Sequence, residues 1–409
     1  MKALHKKLVS VLLICLMLIV GAATVSCYNS SHTSSGEDVS STESVQEQTA
    51  ETAQKETDDA LNAAYQSAAT DAVFWYEDDS YGDYFETAAI RYFGRTGKKV
   101  VMQCRDTMDY IGDIYDETMQ DGAYPDVYLI SGQDLEEAYL YGLVSVKESD
   151  ADDLAILEQA KRAATYEDKL LGYPLSYDVC VFIYQNGYFE EEPQSLQSII
   201  DYSNDNEPGE DVEYLLEWNV NDAFFDFPFV SNSITFEKSE LGHTDVTYDE
   251  DLYAQDLEYF EQILESFSVN AETVSEEEIL GNFLTGRTLC AIVDSDMLHE
   301  LDGYDYSLMQ IPDLNDELTA STCALTDMIV VNDYSKNQKV ATDFAKFVTE
   351  DMSDELYDMT GHMSVVSQDT GSAAEQVARA AYENSVLAPD SQDAKDFWVK
   401  LEETISKYF

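Results

Sequence analysis

Strand-like and helix-like runs alternate along this chain at a pitch that admits few folds. Ala72–Tyr76 is a short apolar strand. Tyr81–Phe93 then places Tyr84, Phe85, Ala88, Ala89, Tyr92 and Phe93 at helical spacing, and Gly94 and Gly97 are expected to end that helix. Lys99–Gln103 reads as a second strand, Tyr110–Met119 as a helix and Asp126–Ile130 as a third strand. Leu170–Leu175 leads into another strand at Val179–Tyr184. Farther on, Leu252–Phe267 is an amphipathic helix with Leu257, Phe260, Ile263, Leu264 and Phe267 on one face. Alternation of this kind builds α/β units around parallel sheet. From Asp71 to Phe409 there are about 340 residues, too many for one comfortable core and enough for two lobes.

Open α/β sheets bind ligands in crevices at the carboxyl ends of their strands. The residues there are Glu77, Asp78, Asp79 and Ser80 after the first strand, and Ser131, Gly132, Gln133 and Asp134 after the third. Tyr177 and Asp178 precede the fourth. Polar groups gather at all three ends, as a ligand site requires.

The N-terminus has a different character. A basic stretch, Met1–Lys7, precedes an apolar run from Leu8 to Val20 and a small-residue stretch ending at Cys27. This is a secretory signal pattern, shorter than the roughly 20 apolar residues of a spanning helix. Thr24-Val25-Ser26-Cys27 resembles a bacterial lipobox, which implies acylation of Cys27 and a signal peptide over 1–27. Residues 28–70 are rich in Ser, Thr, Glu and Gln and are expected to form a disordered tether.

The chain holds 82 acidic against 22 basic residues, a formal net charge of −60. Such a balance excludes nucleic acid, whose phosphates need Lys and Arg, and disfavours anionic lipids and strongly anionic ligands. Cys104, Cys180, Cys290 and Cys323 each lie in or beside a β-like run, without CxxC spacing. Their spacing leaves both buried thiols and one or two disulfides open. With five histidines, none paired at ligand spacing, no transition-metal site is expected. No EF-hand loop, GxSxG, HExxH, phosphate-binding loop or dinucleotide fingerprint occurs. The expectation is a binding protein without cofactor, not an enzyme.

Landmarks along the body resemble the extracellular solute-binding proteins of carbohydrate ABC importers, of the maltose-binding type. Trp75 through Thr96-Gly97 matches that family's opening strand and helix. Pro125-Asp126-Val127-Tyr128 matches its third strand, and Gly172-Tyr173-Pro174 with Ile183-Tyr184-Gln185 its crossing strand. Trp218–Pro228 follows a characteristic aromatic segment. Phe283–Leu289, Pro312, Met328–Asn332, Ala341–Phe347 and Phe397-Trp398 complete the order, with Pro389 ahead of the last pair.

The resemblance implies a two-lobed periplasmic-binding-protein-like α/β fold with a hinge and an interdomain ligand cleft. One lobe would comprise 71–178 plus 327–371, the other 179–326 plus 372–409. It also implies a monomeric receptor on the outer face of the cytoplasmic membrane, delivering a small solute to ABC permease subunits by hinge closure. By position, the ligand-binding residues would be Asp79, Asp178, Asp222, Phe224 and Trp398, the last stacking on a sugar ring. Trp75 and Trp218 read as core. Departures matter as well. Ile130 and Met297 stand where the family has stacking tryptophans, and Ser80, Asp134 and Glu402 stand where it has cations. The implied pocket is more acidic than one for maltose. It suits a neutral or basic oligosaccharide, with a polyamine or other cationic solute as the alternative, or a polysaccharide receptor without a transporter.

Overall fold

The computed structural model describes residues 57–409 apart from 121, 146–154, 207, 210, 239–243, 268, 270–274, 367–370 and 390. The leader, Cys27 and most of the expected tether lie outside the described residues. The strands are β1 (Thr70–Tyr76), β2 (Lys99–Cys104), β3 (Val127–Ser131), β4 (Thr165–Tyr166), β5 (Lys169–Leu170), β6 (Tyr173–Gln185) and β7 (Tyr214–Glu217). They continue with β8 (Ile234–Lys238), β9 (Thr244–Tyr248), β10 (Thr288–Asp294), β11 (Tyr306–Met309), β12 (Cys323–Val331), β13 (Met363–Ser364) and β14 (Val386–Leu387). The main path through the ten-stranded sheet runs β2-β1-β3-β12-β6-β10-β7. β1 pairs in parallel with β2 and β3, whereas β12 and β6 run antiparallel to each other.

β6 is the element that organises the chain. The sequence suggests a strand beginning near Val179, but the strand is continuous over thirteen residues. Its first half pairs with β12 (Tyr173 opposite Ile329, Val179 opposite Ala324) and its second half with β10 and β11. Both faces are covered along most of its length, so Val179–Tyr184 reads as an unbroken apolar run, not an alternating one. Tyr173 and Leu175 belong to a core shared with the helix Gly82–Thr96 and with β1. Cys180, Phe182 and Tyr184 belong to a second core with Trp218, Phe260 and Phe397. β12 makes the same crossing, with Ile329 and Val331 in the first core and Cys323 in the second. The β6–β12 register shifts between Asp327 and Met328. A bulge there re-aims the side chains at the crossing.

The helix Gly82–Thr96 runs through Gly94, contrary to expectation, and ends on Gly97, whose φ of 70° supplies the left-handed cap. Gly94 serves packing instead: a Cβ there would press on Leu61 at 3.3 Å. Residues 61–67 are helical, so the expected tether is too long at its C-terminal end. The physical reason is an apolar pair four residues apart. Leu61 meets Gly94, and Tyr65 packs edge-on against Phe93 at 5.7 Å and donates to the Val100 carbonyl at 2.6 Å.

Asp126 ties β1 to the turn after β12. Its carboxylate accepts from the Val73 amide at 2.9 Å, Ser335 Oγ at 2.6 Å and Asn337 Nδ2 at 3.3 Å. Cys180, Cys290 and Cys323 are buried free thiols and Cys104 is an exposed one. Among the described residues no helix is long and apolar enough to cross a membrane.

Candidate ligand site

The site forms where β6 and β12 pass between the two cores. Alternation along a strand sends successive side chains to opposite faces. Ser176 and Asp178 therefore share one face of β6 with Asp327 of β12, while Tyr177 and Thr326 face the other way, where both meet Tyr382. Tyr81 lies fully buried at the start of the Gly82–Thr96 helix, under the first group. Its hydroxyl lies 2.6 Å from Ser176 Oγ and donates to Asp327 Oδ2 at 2.9 Å.

His362 is stacked on Tyr81, with ring centroids 4.3 Å apart and planes 6° from parallel. Its Nδ1 lies 3.2 Å from Asp178 Oδ1 and its Nε2 2.8 Å from Ser80 Oγ, with Asp78 Oδ2 3.7 Å away. Gly361 makes this placement possible. Its φ is 82°, and a Cβ there would fall 2.8 Å from the Asp296 carbonyl and 2.4 Å from His299 Nδ1. Any side chain at 361 would push the 362 backbone away from the acids.

Asp294 and Asp296 complete the group from the end of β10. Burial pushes the Asp294 carboxyl well above its usual range, and Asp296 and Asp178 push it further. Asp296 is raised to about 6 and Asp327 to about 7, in each case first by burial and then by Asp178. Glu276, at the start of the helix Glu276–Leu284, is raised to about 7 by burial and by Asp296 and Asp222. His362 counters Asp327, and His362 and His299 both counter Asp296. Burial alone would lower the His362 pKa, but its bond to Asp178 and the charges of Asp178, Asp327 and Asp296 lift it to about 9. Among the described residues no three His, Cys, Asp or Glu side chains are arranged to hold a metal ion.

The five sequence candidates fall around this cluster unevenly. Asp178 is in it, with 15 % of its side chain exposed. Asp79 is exposed on the turn after β1, next to Asp78, which caps that turn by accepting from the Ser80 amide. Asp222 caps the short helix Ala223–Asp226 by accepting from the Phe224 amide at 2.9 Å. Phe224 packs edge-on against Phe225, and its carbonyl accepts from the Cys180 thiol beside Asp178. Trp398, on the helix Gln392–Ile405, packs on Phe227 at 5.7 Å and Phe397 at 4.9 Å, and its Nε1 is shielded from water without a hydrogen-bond partner. One turn earlier, Lys395 reaches Asp134 Oδ1 at 3.1 Å and Glu137 Oε2 at 2.9 Å, joining the last helix to the segment that follows β3. Trp75 and Trp218 are core, Trp218 donating to Asp226 at 3.0 Å.

Sequence reasoning missed His362, Asp327 and Lys395. His362 sits in no motif. Asp294 and Asp296 were visible, but only as the place of an absent tryptophan. A separate cavity of about 1050 Å³ lies at the edge of β12 where its partner changes from β3 to β14. Size alone would favour it. None of the five candidates lines it, however, and no unpartnered buried group opens into it. The convergent acids mark the site instead.

Residues 88–379 match the family model for the bacterial extracellular solute-binding protein. The chain belongs to this family. Three solved structures share the fold, each at 16 % sequence identity. A solute-binding protein of Staphylococcus aureus in complex with maltose gives a TM-score of 0.67, covering 82 % of this chain and 92 % of its own. A cyclo/maltodextrin-binding protein with maltotetraose gives 0.69, over 84 % and 92 %. A maltotriose-binding protein of Thermus thermophilus with maltotriose gives 0.66, over 82 % and 93 %. No curated protein sequence matches the chain. The solute-binding protein thus has the two-lobed α/β architecture of the maltose-binding type, and its crossing strands carry the acid cluster.

The elevated His362 pKa has a measurable consequence. A group raised from 6.5 to about 9 on folding stabilises the protein fully below pH 6.5, and that contribution is lost as pH rises through 9. Asp327 and Glu276, at about 7, and Asp294, raised well above its usual range, still titrate above pH 7, so the comparison with a variant lacking the imidazole isolates the His362 contribution. The wild type is expected to lose up to about 3 kcal/mol between pH 7 and 9.5 that His362→Gln does not lose. Urea unfolding at both pH values measures this. Equal losses in the two proteins would contradict the assignment.

Proposed function

We propose that this protein is a lipid-anchored, extracytoplasmic receptor that binds a small solute, an oligosaccharide, between its lobes and delivers it to an ABC importer by closing a hinge. One observation carries the reading. Side chains from both cores converge where β6 and β12 cross: Ser80 and Tyr81 from the first, Asp294 and Asp296 from the second, and Asp178 and Asp327 on the crossing strands themselves. A solute bound there touches both halves, so it favours the closed form through contacts that an open form lacks. We assign the lobes as 71–178 with 327–371 and 179–326 with 372–409, with Asp79, Asp178, Asp222, Phe224 and Trp398 as solute contacts. Structural relatives that hold maltose and maltodextrins support a sugar as the solute. The protein acts by binding, as a monomer whose partners are the permease subunits and, through acylated Cys27, the outer face of the membrane.

A second reading is favoured by the acids. Asp78, Asp178, Asp296 and Asp327 face the His362 imidazole, and Asp294 adds its charge to Asp296 and Asp178. Acids outnumber the imidazoles of His362 and His299, so a protonated amine would help neutralise the cluster. A polyamine or amino sugar fits that charge.

Calorimetry with maltotetraose, xylotetraose, chitosan tetramer and spermidine separates the two readings. A neutral sugar at 100 times its dissociation constant is expected to stabilise the fold by about 2.7 kcal/mol, and Trp398→Ala is expected to weaken it at least tenfold. Stabilisation by spermidine and chitosan tetramer alone would replace the solute and keep the receptor. Binding that is indifferent to both Trp398→Ala and Asp178→Asn would contradict the site. The anchor is checked separately. Cys27→Ala should move the protein from the membrane fraction to the medium, and retention of that variant at the membrane would rule acylation out.

A further inference from the structure

Two of the buried thiols stand opposite each other. β12 runs antiparallel to β6 with Ala324 opposite Val179, and the same register carried one residue further sets Cys323 opposite Cys180. Both side chains leave their strands on the face that builds the core of Phe182, Trp218 and Phe397, and both are fully buried. Opposed residues of an antiparallel pair have Cα atoms about 4.5 or 5.5 Å apart, and disulfides span about 4.4–6.8 Å. Either spacing lies within reach of a bond. The structure shows the reduced pair, with Cys180 Sγ donating to the Phe224 carbonyl at 3.7 Å.

Geometry singles out these two. Cys290 stands opposite Tyr184, four residues beyond Cys180 on β6 and so about 13 Å farther along the strand. Cys104 is exposed at the end of β2, paired with Tyr76 of β1. On its other side Cys180 faces Asp294 of β10, but among the described residues no three His, Cys, Asp or Glu side chains are arranged around one ion. The chain belongs to an extracellular family, and outside the cytoplasm thiols meet an oxidising milieu.

We infer that Cys180 and Cys323 form a disulfide site that is oxidised, as the exported chain folds, by a low-molecular-weight disulfide. One cysteine thiolate attacks the oxidant and expels half of it as a thiolate, which takes up a proton. The second cysteine then attacks the mixed disulfide and expels the other half. One S–S bond forms in the protein, which gives up two protons and two electrons, and the oxidant ends as two thiols.

Burial sets the timing. In the folded chain, burial and then Asp294 push the Cys180 thiol well above its usual range, with Cys323 adding to the push, and burial raises Cys323 as well. Thiolate is scarce in that state, so the exchange belongs to folding, before the core excludes water. The bond ties β6 to β12 on one side of the Asp327–Met328 register shift and closes the long loop between the two strands. Closing such a loop stabilises chiefly by restricting the unfolded chain. None of this depends on which solute the protein takes.

Oxidative refolding tests the inference. The full-length chain, reduced and unfolded in guanidinium chloride, is refolded in a mixture of reduced and oxidised glutathione. It is then denatured in N-ethylmaleimide and mapped by mass spectrometry. The peptides holding Cys180 and Cys323 should be joined, lighter by two hydrogens than the reduced pair, with Cys104 and Cys290 alkylated. Cys180→Ala should expose Cys323 to alkylation, and Cys323→Ala should do the same for Cys180. The joined protein should also unfold at a higher urea concentration than the same protein in dithiothreitol. The inference is overturned if both cysteines of the refolded wild type are alkylated, or if either is joined to another cysteine or to glutathione. A urea midpoint no higher than in dithiothreitol overturns it too, since the bond would then be forced on the fold. Any of these results leaves the receptor reading untouched, because that reading stands or falls on solute binding.

Discussion

Everything in this protein hangs on the antiparallel ladder between β6 and β12. Two strands that traverse both cores give each half its own hydrophobic interior while keeping one hydrogen-bonded sheet through the junction. A ladder resists shear but tolerates twist, so the proposed closure would be a rotation about the crossing. The register shift between Asp327 and Met328 interrupts the regular ladder at that crossing. It also turns Asp327 toward Tyr81 and Ser176. The crossing geometry thus delivers polar side chains to the junction.

Those side chains would be unstable neighbours without His362. Carboxylates this close cannot all ionise in a poorly solvated junction, and Asp294, Asp296 and Asp327 accordingly hold their protons to higher pH. His362, clamped between Asp178 and Ser80 and stacked on Tyr81, supplies counter-charge inside the cluster, and His299 adds to it at Asp296. Across the mouth, Lys395 performs a related task for Asp134 and Glu137. Exposed ion pairs add less than about 1 kcal/mol each, whereas the buried His362 imidazole offsets repulsion where solvent screens little.

Much of the architecture was legible in the sequence because periodicity reports burial. The run Tyr84, Phe85, Ala88, Ala89, Tyr92 does line one core, and the helix Tyr110–Met119 has the bounds its pattern indicates. What failed were features set by a neighbour distant in sequence. Gly94 looks like a helix end because glycine breaks helices, but Leu61 pressing on it outweighs that propensity. Residues 61–67 look like the end of a polar tether because only Leu61 and Tyr65 carry the apolar stripe, and two contacts are too few to register as a pattern.

The site was half legible for the same reason. Strand ends can be counted, so Asp178 and the Glu77–Ser80 run were found. The resemblance implies cations at the positions of Ser80 and Asp134, and their absence suggests a bare acidic pocket. In the fold, His362 meets Ser80 from 282 residues away, and Lys395 reaches Asp134 from a distance of 261 residues.

A solute held at the β6–β12 crossing, as proposed, touches both halves at once. Hydrogen exchange measured by mass spectrometry, with and without a saturating solute, reads this contact. Slower exchange is expected on both sides of the crossing, in 77–81 and 131–134 on one side and in 222–226 and 294–298 on the other. Protection confined to one core, or to the separate cavity walled by 158–168 and 385–389, would contradict it.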